Sequence, residues 1–289
     1  MMLTVFTPTY NRGNLLKRVY QSLLGQTCKD FEWLIIDDGS TDNTRLVVDQ
    51  LIKENIIAIR YLYKKNGGKH TAYNIAISEA SGDLFLCLDS DDMLTTDAVE
   101  LINKGRHLLG SLDCGIIAYK QDMSGQLLST PLRCSEHCGL LGFQRRGVSG
   151  EFSLVFKTEI IKRYPFPVFE GERFMGENVL YDKLELDGYT LAPLKYVLEC
   201  CEYQNNGLSA QFVALVRENP LGYCVYYLQR IDLYGGVMDR IVAAGKYNCF
   251  RLIAKEVLPQ YTGKHKHIVT VTKLLGMIFY AYYKILKGL

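Results

Sequence analysis

The chain has 289 residues, 48% of them hydrophobic, with 33 Lys and Arg against 31 Asp and Glu and a formal net charge of +2. That length buries one large core with a smaller appended element. A near-neutral charge, interspersed along most of the chain, excludes a general nucleic-acid binder.

Met1 to Phe6 run straight into a strand pattern, without the charged start, apolar stretch and cleavage site of a secretory signal, so a cytoplasmic protein is expected. The nine cysteines are scattered through apolar runs as small buried hydrophobes, and free thiols are expected. Cys134, His137 and Cys138 offer three zinc ligands, but no second pair follows at a finger-like spacing, so structural zinc is not expected.

In chain order, Leu3 to Thr7, Trp33 to Ile36, Ile57 to Tyr63, Leu84 to Leu88 and Gly115 to Tyr119 read as strands. Between them, Leu15 to Leu24, Thr44 to Ile52, Thr71 to Ala80 and Ala98 to Leu109 carry apolar residues at helical spacing. This alternation predicts right-handed βαβ crossovers and a mostly parallel α/β sheet with helices on both faces. Asp42 and Asn43 are suited to capping the second helix. From about Gly150 the pattern changes to a strand (Phe152 to Phe156), a proline-containing loop, a helix from Glu177 to Leu186 and a strand through Val197. Beyond Ser209 the chain reads as helical, giving a catalytic domain over 1–208 and a helical extension over 209–289.

Loops at the carboxyl ends of parallel strands converge on one crevice. That rule gathers Pro8-Thr9-Tyr10-Asn11-Arg12, Asp37-Asp38-Gly39-Ser40, Asn66-Gly67-Gly68-Lys69-His70 and Asp89-Ser90-Asp91-Asp92 into one site. Asp89, Asp91 and Asp92 repel one another by roughly 3 kcal/mol per pair at about 5 Å and an effective dielectric of about 20. A cation must offset this, and a hard divalent ion, Mn²⁺ or Mg²⁺, prefers carboxylate oxygens and leaves positions open for phosphates. The alternative is a solvated acidic turn. Gly67-Gly68 opens a helix bearing Lys69, so amides and one cation could face a diphosphate. Tyr10 could stack on a base and Asp38 could accept from a base or ribose, or either could pack or cap.

These runs, with Gln26-Thr27, Phe31 to Asp42 and Ala80 to Asp83, resemble the family 2 glycosyltransferases of the GT-A fold. The match is continuous over about the first 120 residues, weaker to about Ser209, and absent from the C-terminal helices. The resemblance implies an inverting transferase that takes a sugar from a nucleotide diphosphate carrier, most often UDP, to a saccharide or lipid-linked saccharide in cell-surface polysaccharide synthesis. It implies a nucleoside pocket at Pro8, Thr9, Tyr10 and Asp38. Asn11, Arg12, Lys69, Asp89, Ser90 and Asp92 are counted with the donor-binding residues. Asp91, with Asp89, is the expected metal ligand. Many members carry a Glu-Asp pair heading a later helix, the Asp serving as base; here the pair is Glu177-Asn178, and because an amide cannot take a proton the role falls to Glu177. The alternative is that Glu177 only favours a helix N-terminus.

Two other readings compete with this one. A sugar-phosphate nucleotidyltransferase would need a glycine-rich basic loop after the first strand, and Thr7 to Arg12 contains no glycine. A non-catalytic nucleotide-sugar binder is suggested only by Asn178.

Lys264, Lys266, Lys273, Lys284 and Lys287 occur with no Asp or Glu after Glu256. Among them Leu274, Leu275, Ile278, Phe279, Tyr282, Ile285 and Leu286 form a helical stripe, on an uncharged run far short of the ~20 residues that span a bilayer. Such a helix suits the surface of an anionic membrane. Packing on its own core or on a second copy in a homodimer is the alternative.

Overall fold

The computed structural model describes residues 2–132, 136–202, 212–254 and 261–286. Cys134, Lys287 and the expected domain boundary at 208/209 lie outside the described residues. The chain forms two compact units, Met1–Pro165 with Gly188–Gln204, and Phe166–Asp187 with Asn205–Leu289.

The first unit is α/β. Its strands are β1 (Leu3–Thr9), β2 (Phe31–Asp37), β3 (Ile59–Tyr63), β4 (Leu84–Cys87), β5 (Met93–Leu94), β6 (Asp113–Asp122), β7 (Phe152–Lys157) and β8 (Thr190–Cys201), in the order β3-β2-β1-β4-β7-β6-β8-β5. The helices of the first half are α1 (Gly13–Leu24), α2 (Thr44–Glu54), α3 (Lys69–Glu79) and α4 (Ala98–Gly105), followed later by α5 (Leu140–Arg145) and α6 (Thr158–Ile161).

The β1–β2, β1–β4, β2–β3 and β6–β8 pairs are parallel. The β4–β7, β6–β7 and β5–β8 pairs are antiparallel. The expected mostly parallel α/β sheet is present, with four parallel pairs against three antiparallel ones among the described residues; it is mixed because β7 runs back between β4 and β6 and β5 pairs antiparallel with β8. The half that carries the converging loops keeps the parallel order.

Alternation across the pleat sorts the core. Leu3, Val5, Trp33, Ile35, Leu84 and Leu86 face α1, α2 and α4, where Leu16, Val19, Val48 and Ile102 are fully buried. On the other face Phe6 meets Tyr73 of α3 and Phe85 at ring distances of 5.4 and 5.6 Å. Trp33 is fully buried yet satisfied, its Nε1 donating to Thr7 Oγ1 at 2.9 Å. Pro8 is tolerated in an interior strand because its nitrogen points to the β4 side, where pairing ends at Phe6 with Cys87. Gly82 must lack a side chain: a Cβ there would stand 2.5 Å from Met2 O and Thr4 N. Of the two expected caps of α2, Asp42 acts, its Oδ1 accepting from the Thr44 amide at 2.9 Å, whereas Asn43 makes no side-chain cap.

The second unit is helical, with α7 (Asn178–Leu186), α8 (Phe212–Glu218), α9 (Pro220–Leu233), α10 (Val237–Ala254), α11 (Lys266–Val271) and α12 (Lys273–Leu286). Pro220 opens α9, and Glu172 accepts from the Leu221 and Gly222 amides at 2.6 and 2.9 Å, an anion at the positive end of the helix. Phe250 of α10 stacks on Tyr223 and Tyr227 of α9 at 5.0 and 5.4 Å.

The apolar stripe of α12 divides. Leu275 and Phe279 press on Gly245 of α10, while Leu274, Ile278, Tyr282 and Ile285 are exposed. No helix among the described residues is long and apolar enough to cross a membrane.

Candidate functional site

The loops that leave β1 and β2 are tied together by Asn11. Its φ of 52° lies in the left-handed region that asparagine tolerates, its amide donates to Ser40 Oγ at 2.8 Å, and its Oδ1 accepts from Thr41 N at 2.7 Å and Asp42 N at 3.3 Å. Asn11 thus spends its polar groups on shaping the loops. Tyr10 beside it is 48% exposed, a free aromatic face. Thr9 is buried and passes its carbonyl to the Asp38 amide at 2.8 Å, and Pro8 stands half-buried just before it.

Asp38 is buried, and its carboxylate gathers the third loop. It accepts from the Gly67 and Gly68 amides at 2.9 and 2.7 Å and pairs with the Lys64 ammonium. The amides expected to face a diphosphate therefore face a side chain of this protein instead. Gly39, at φ 89°, allows the approach, since a Cβ there would lie 2.7 Å from Asn66 N. Asp37 serves the frame, accepting from Ser40 N and the Tyr61 hydroxyl at 2.7 and 2.6 Å.

The acidic run follows β4, and each acid has its own cation. Lys69 Nζ lies 2.6 Å from Asp89 Oδ1, Arg12 Nη1 lies 3.0 Å from Asp91 Oδ2 and 3.3 Å from Ser90 Oγ, and Lys120 Nζ lies 3.4 Å from Asp92 Oδ2. The first two pairs are partly exposed. The third is buried, with Lys120 also 2.7 Å from Glu199 Oε2 and the Cys201 thiol donating to Asp92 at 3.2 Å. Four carboxylates thus stand against three side-chain cations.

Burial raises Asp89, but Lys69, Lys120 and Arg12 outweigh it and hold its carboxyl below the ordinary range. Burial pushes Asp92 up to about 6, with Glu199 and Asp89 opposing the pull of Lys120. The same burial is overcome at Lys120, whose acidic neighbours hold it charged.

Asp92, Glu199 and Cys201 bring ligand atoms within 4.8 Å of one another, but the Lys120 ammonium already fills the cationic role there, and burial pushes the Cys201 thiol up and keeps it protonated. Asp89 and Asp91 fit a hard dication better: both offer carboxylate oxygen, both reach solvent, and both are held by single, displaceable side chains. Lys64, Lys120, Glu199 and Cys201 were not singled out from the sequence. The signal available was a charged residue inside an apolar strand run, Leu198-Glu199-Cys200, which is buried only if paired.

A cleft of about 590 Å³ lies beside this cluster, lined by Lys17, Arg18, Gln21, Met93, Thr95 and Gln121 among others. In the second unit Glu177 heads α7, half-buried, with the Tyr181 hydroxyl donating to its Oε2 at 2.7 Å. Asp182, one turn further, is committed to Arg230 at 2.5 Å and is 2% exposed.

Residues 4–118 match Glycosyl transferase family 2. Over 190 residues the chain is 30% identical to the GalNAc(5)-diNAcBac-PP-undecaprenol beta-1,3-glucosyltransferase of Campylobacter jejuni, covering 63% of this chain and 60% of that protein. It is 44% identical over 103 residues to two far longer bacterial synthases, of which it spans 11% and 10%. Among solved structures, S. aureus TarS in complex with UDP-GlcNAc aligns with a TM-score of 0.59 at 16% identity, covering 98% of this chain and 92% of that one. The mannosyltransferase PcManGT from Pyrobaculum calidifontis, in complex with GDP-Man and Mn²⁺, aligns with a TM-score of 0.59 at 16% identity, covering 98% and 87%. These two likenesses concern the fold. The strand order of the first unit, the acidic run after β4 and the family match over the same residues lead to one conclusion: residues 4–118 match glycosyl transferase family 2, and the chain carries the GT-A fold.

Proposed function

We propose that this chain transfers a sugar, with inversion, from a nucleotide diphosphate donor, a UDP-sugar, to a saccharide or lipid-linked saccharide acceptor in cell-surface polysaccharide synthesis. The observation that carries the reading is the meeting of Arg12, Lys69, Asp89 and Asp91 from three loops of one sheet, beside the exposed Tyr10. The Campylobacter relative names a lipid diphosphate-linked acceptor, and the TarS complex holds a UDP-sugar.

Asp91 and Asp89 hold the divalent ion in this reading, Mn²⁺ or Mg²⁺; PcManGT holds Mn²⁺. The ion supplies Lewis acidity for the departing diphosphate. Pro8, Thr9, Tyr10 and Asp38 receive the nucleoside, with Tyr10 offering the stacking face. Ser90, Asp92 and Asn11 shape the pocket, and Arg12 and Lys69 supply positive charge where negative charge grows on the leaving group. Glu177 is the base that takes the acceptor hydroxyl's proton, its carboxylate oriented by Tyr181. Asp182 is unsuited to the task because Arg230 holds it.

The exposed face of α12, flanked by Lys273 and Lys284, rests in this reading on the cytoplasmic surface of an anionic membrane. A lipid-linked acceptor makes that location useful.

A thermal-shift series with UDP-sugars and GDP-mannose, with and without Mn²⁺, tests the class, because a ligand of the folded state raises the melting temperature. A metal-dependent rise with one donor, followed by slow release of free sugar, is expected. No rise with any nucleotide sugar, and no release, would reject the reading.

A further inference from the structure

We propose that Arg12 and Lys69 are exchangeable counter-ions: they hold Asp91 and Asp89 in the empty protein and move to the donor's diphosphate when a divalent cation takes those carboxylates. The inference rests on the donor and metal assignment above and goes one step further, to how the two ligands enter.

Three features separate these two cations from the third. Arg12 pairs with Asp91 and Lys69 with Asp89 where solvent reaches, with 36% and 29% of the two basic side chains exposed. Lys120 is 14% exposed and clamped between Asp92 and a Glu199 that is fully buried. Arg12 stands at the N-terminal edge of α1 and Lys69 is the first residue of α3, positions where the helix dipole disfavours a cation and favours an anion. Both are long side chains whose charged ends can swing while the stems stay in place.

Charge balance then dictates the order of events. With Lys69 on Asp89 and Arg12 on Asp91, a dication arriving alone would push two cations off these carboxylates and leave them close to its own charge. A diphosphate ester arriving alone would leave two carboxylates uncovered. When both enter, the carboxylates go to the dication and Arg12 and Lys69 go to the phosphate oxygens, so the charge of the site is conserved. Lys120 stays with Asp92 and Glu199 throughout. Arg12 and Lys69 thereby make each ligand weak alone and strong with the other, and linkage requires the gain to be equal in both directions.

The test is calorimetric titration of the full chain with Mn²⁺ alone, with UDP or GDP alone, and with Mn²⁺ at saturating nucleotide, corrected for the solution complex of metal and nucleotide. Wild type is compared with Arg12→Gln and Lys69→Gln. The expected result is that each variant binds Mn²⁺ alone about fivefold more tightly than wild type, the size of a partly exposed ion pair. The factor by which nucleotide tightens Mn²⁺ should fall by a similar amount. Mn²⁺ affinity unchanged or weakened in both variants, or an undiminished coupling factor, would overturn the exchange while leaving the donor and metal reading intact. A wild-type protein that binds neither Mn²⁺ nor nucleotide would overturn both.

Discussion

Lys120 of β6 and Glu199 of β8 are register partners, and their charged ends lie 2.7 Å apart with Glu199 wholly removed from solvent. Asp92 joins them at 3.4 Å, so one ammonium is shared by two carboxylates at the carboxyl end of the sheet. Removing one partner of a buried pair leaves an uncompensated charge. Lys120→Met should therefore destabilise the protein by about 3 to 5 kcal/mol, read from urea unfolding. Lys120→Met combined with Glu199→Leu should cost clearly less than Lys120→Met alone. Equal losses in the single and double variants would mean that the pair is not the source.

Asp91→Asn should abolish transfer and weaken metal-dependent donor binding, because one charge is lost from a site that holds a dication. The melting temperature should change little, since Asp91 meets only the partly exposed Arg12 at the end of a strand. Full activity in this variant would remove the metal assignment.

For the base, Glu177→Gln should lower turnover by at least about a hundredfold with donor affinity nearly unchanged, as expected for a group acting on the acceptor alone. Asn178→Ala should matter far less. Asp182→Asn should act on stability instead, because it strands Arg230 in the interior of the second unit. Loss of turnover in a stably folded Asp182→Asn with Glu177→Gln active would reassign the base.

Glu32 carries a pH prediction. Burial disfavours its charge, but the Thr4 hydroxyl at 2.6 Å, the Ser81 amide at 2.8 Å and Arg60 outweigh it and hold its carboxyl below the ordinary range. A depressed folded-state value means that the stabilisation is complete above the unfolded-state value, near 4.5, and is lost as pH falls through the folded one. Glu32→Gln should lower stability at pH 7 by about 1 to 3 kcal/mol and shrink the acid-induced loss below about pH 4. A variant with an unaltered acid limb would exclude Glu32 as its source.

For α12, flotation with anionic liposomes at low salt should carry the full chain, and Ile278→Asp with Ile285→Asp should abolish it, because both side chains are exposed and their removal spares the face on α10. High salt should weaken binding through Lys273 and Lys284. Wild type that does not float but sediments as a dimer would assign the face to a second copy.

Much of the first unit was legible in the sequence because its strands and helices alternate with the right periods and its turn residues stand between them. Leu84 to Leu88 and Thr44 to Ile52 match β4 and α2 within two residues at each end. What periodicity could not convey was direction and partner. Nothing local to Phe152 to Phe156 says that β7 runs antiparallel, and β5, two residues long, has no pattern of its own. The acidic run was legible as a site, but its neutralisation was assigned wholly to a metal. Lys120 and Glu199 lie 79 residues apart and meet only through the β6–β8 register. On α12 a stripe of helical period was visible, yet the sequence could not tell that Leu275 and Phe279 turn to α10 while Leu274 and Ile278 turn to solvent.

The second unit is assembled from two stretches of chain, with β8 intervening between α7 and α8. During synthesis α7 therefore emerges well before α9, and for that interval Asp182 has no Arg230 and Val179 has no Gln229 on its carbonyl. A nascent chain paused near residue 200 would display Val179, Leu180 and Leu184, buried in the finished protein, to any chaperone or protease at hand. Truncations meant to isolate the first unit should accordingly remove 166–187 or shield its apolar face, since ending the chain before α9 would leave that helix as an adhesive patch rather than a domain.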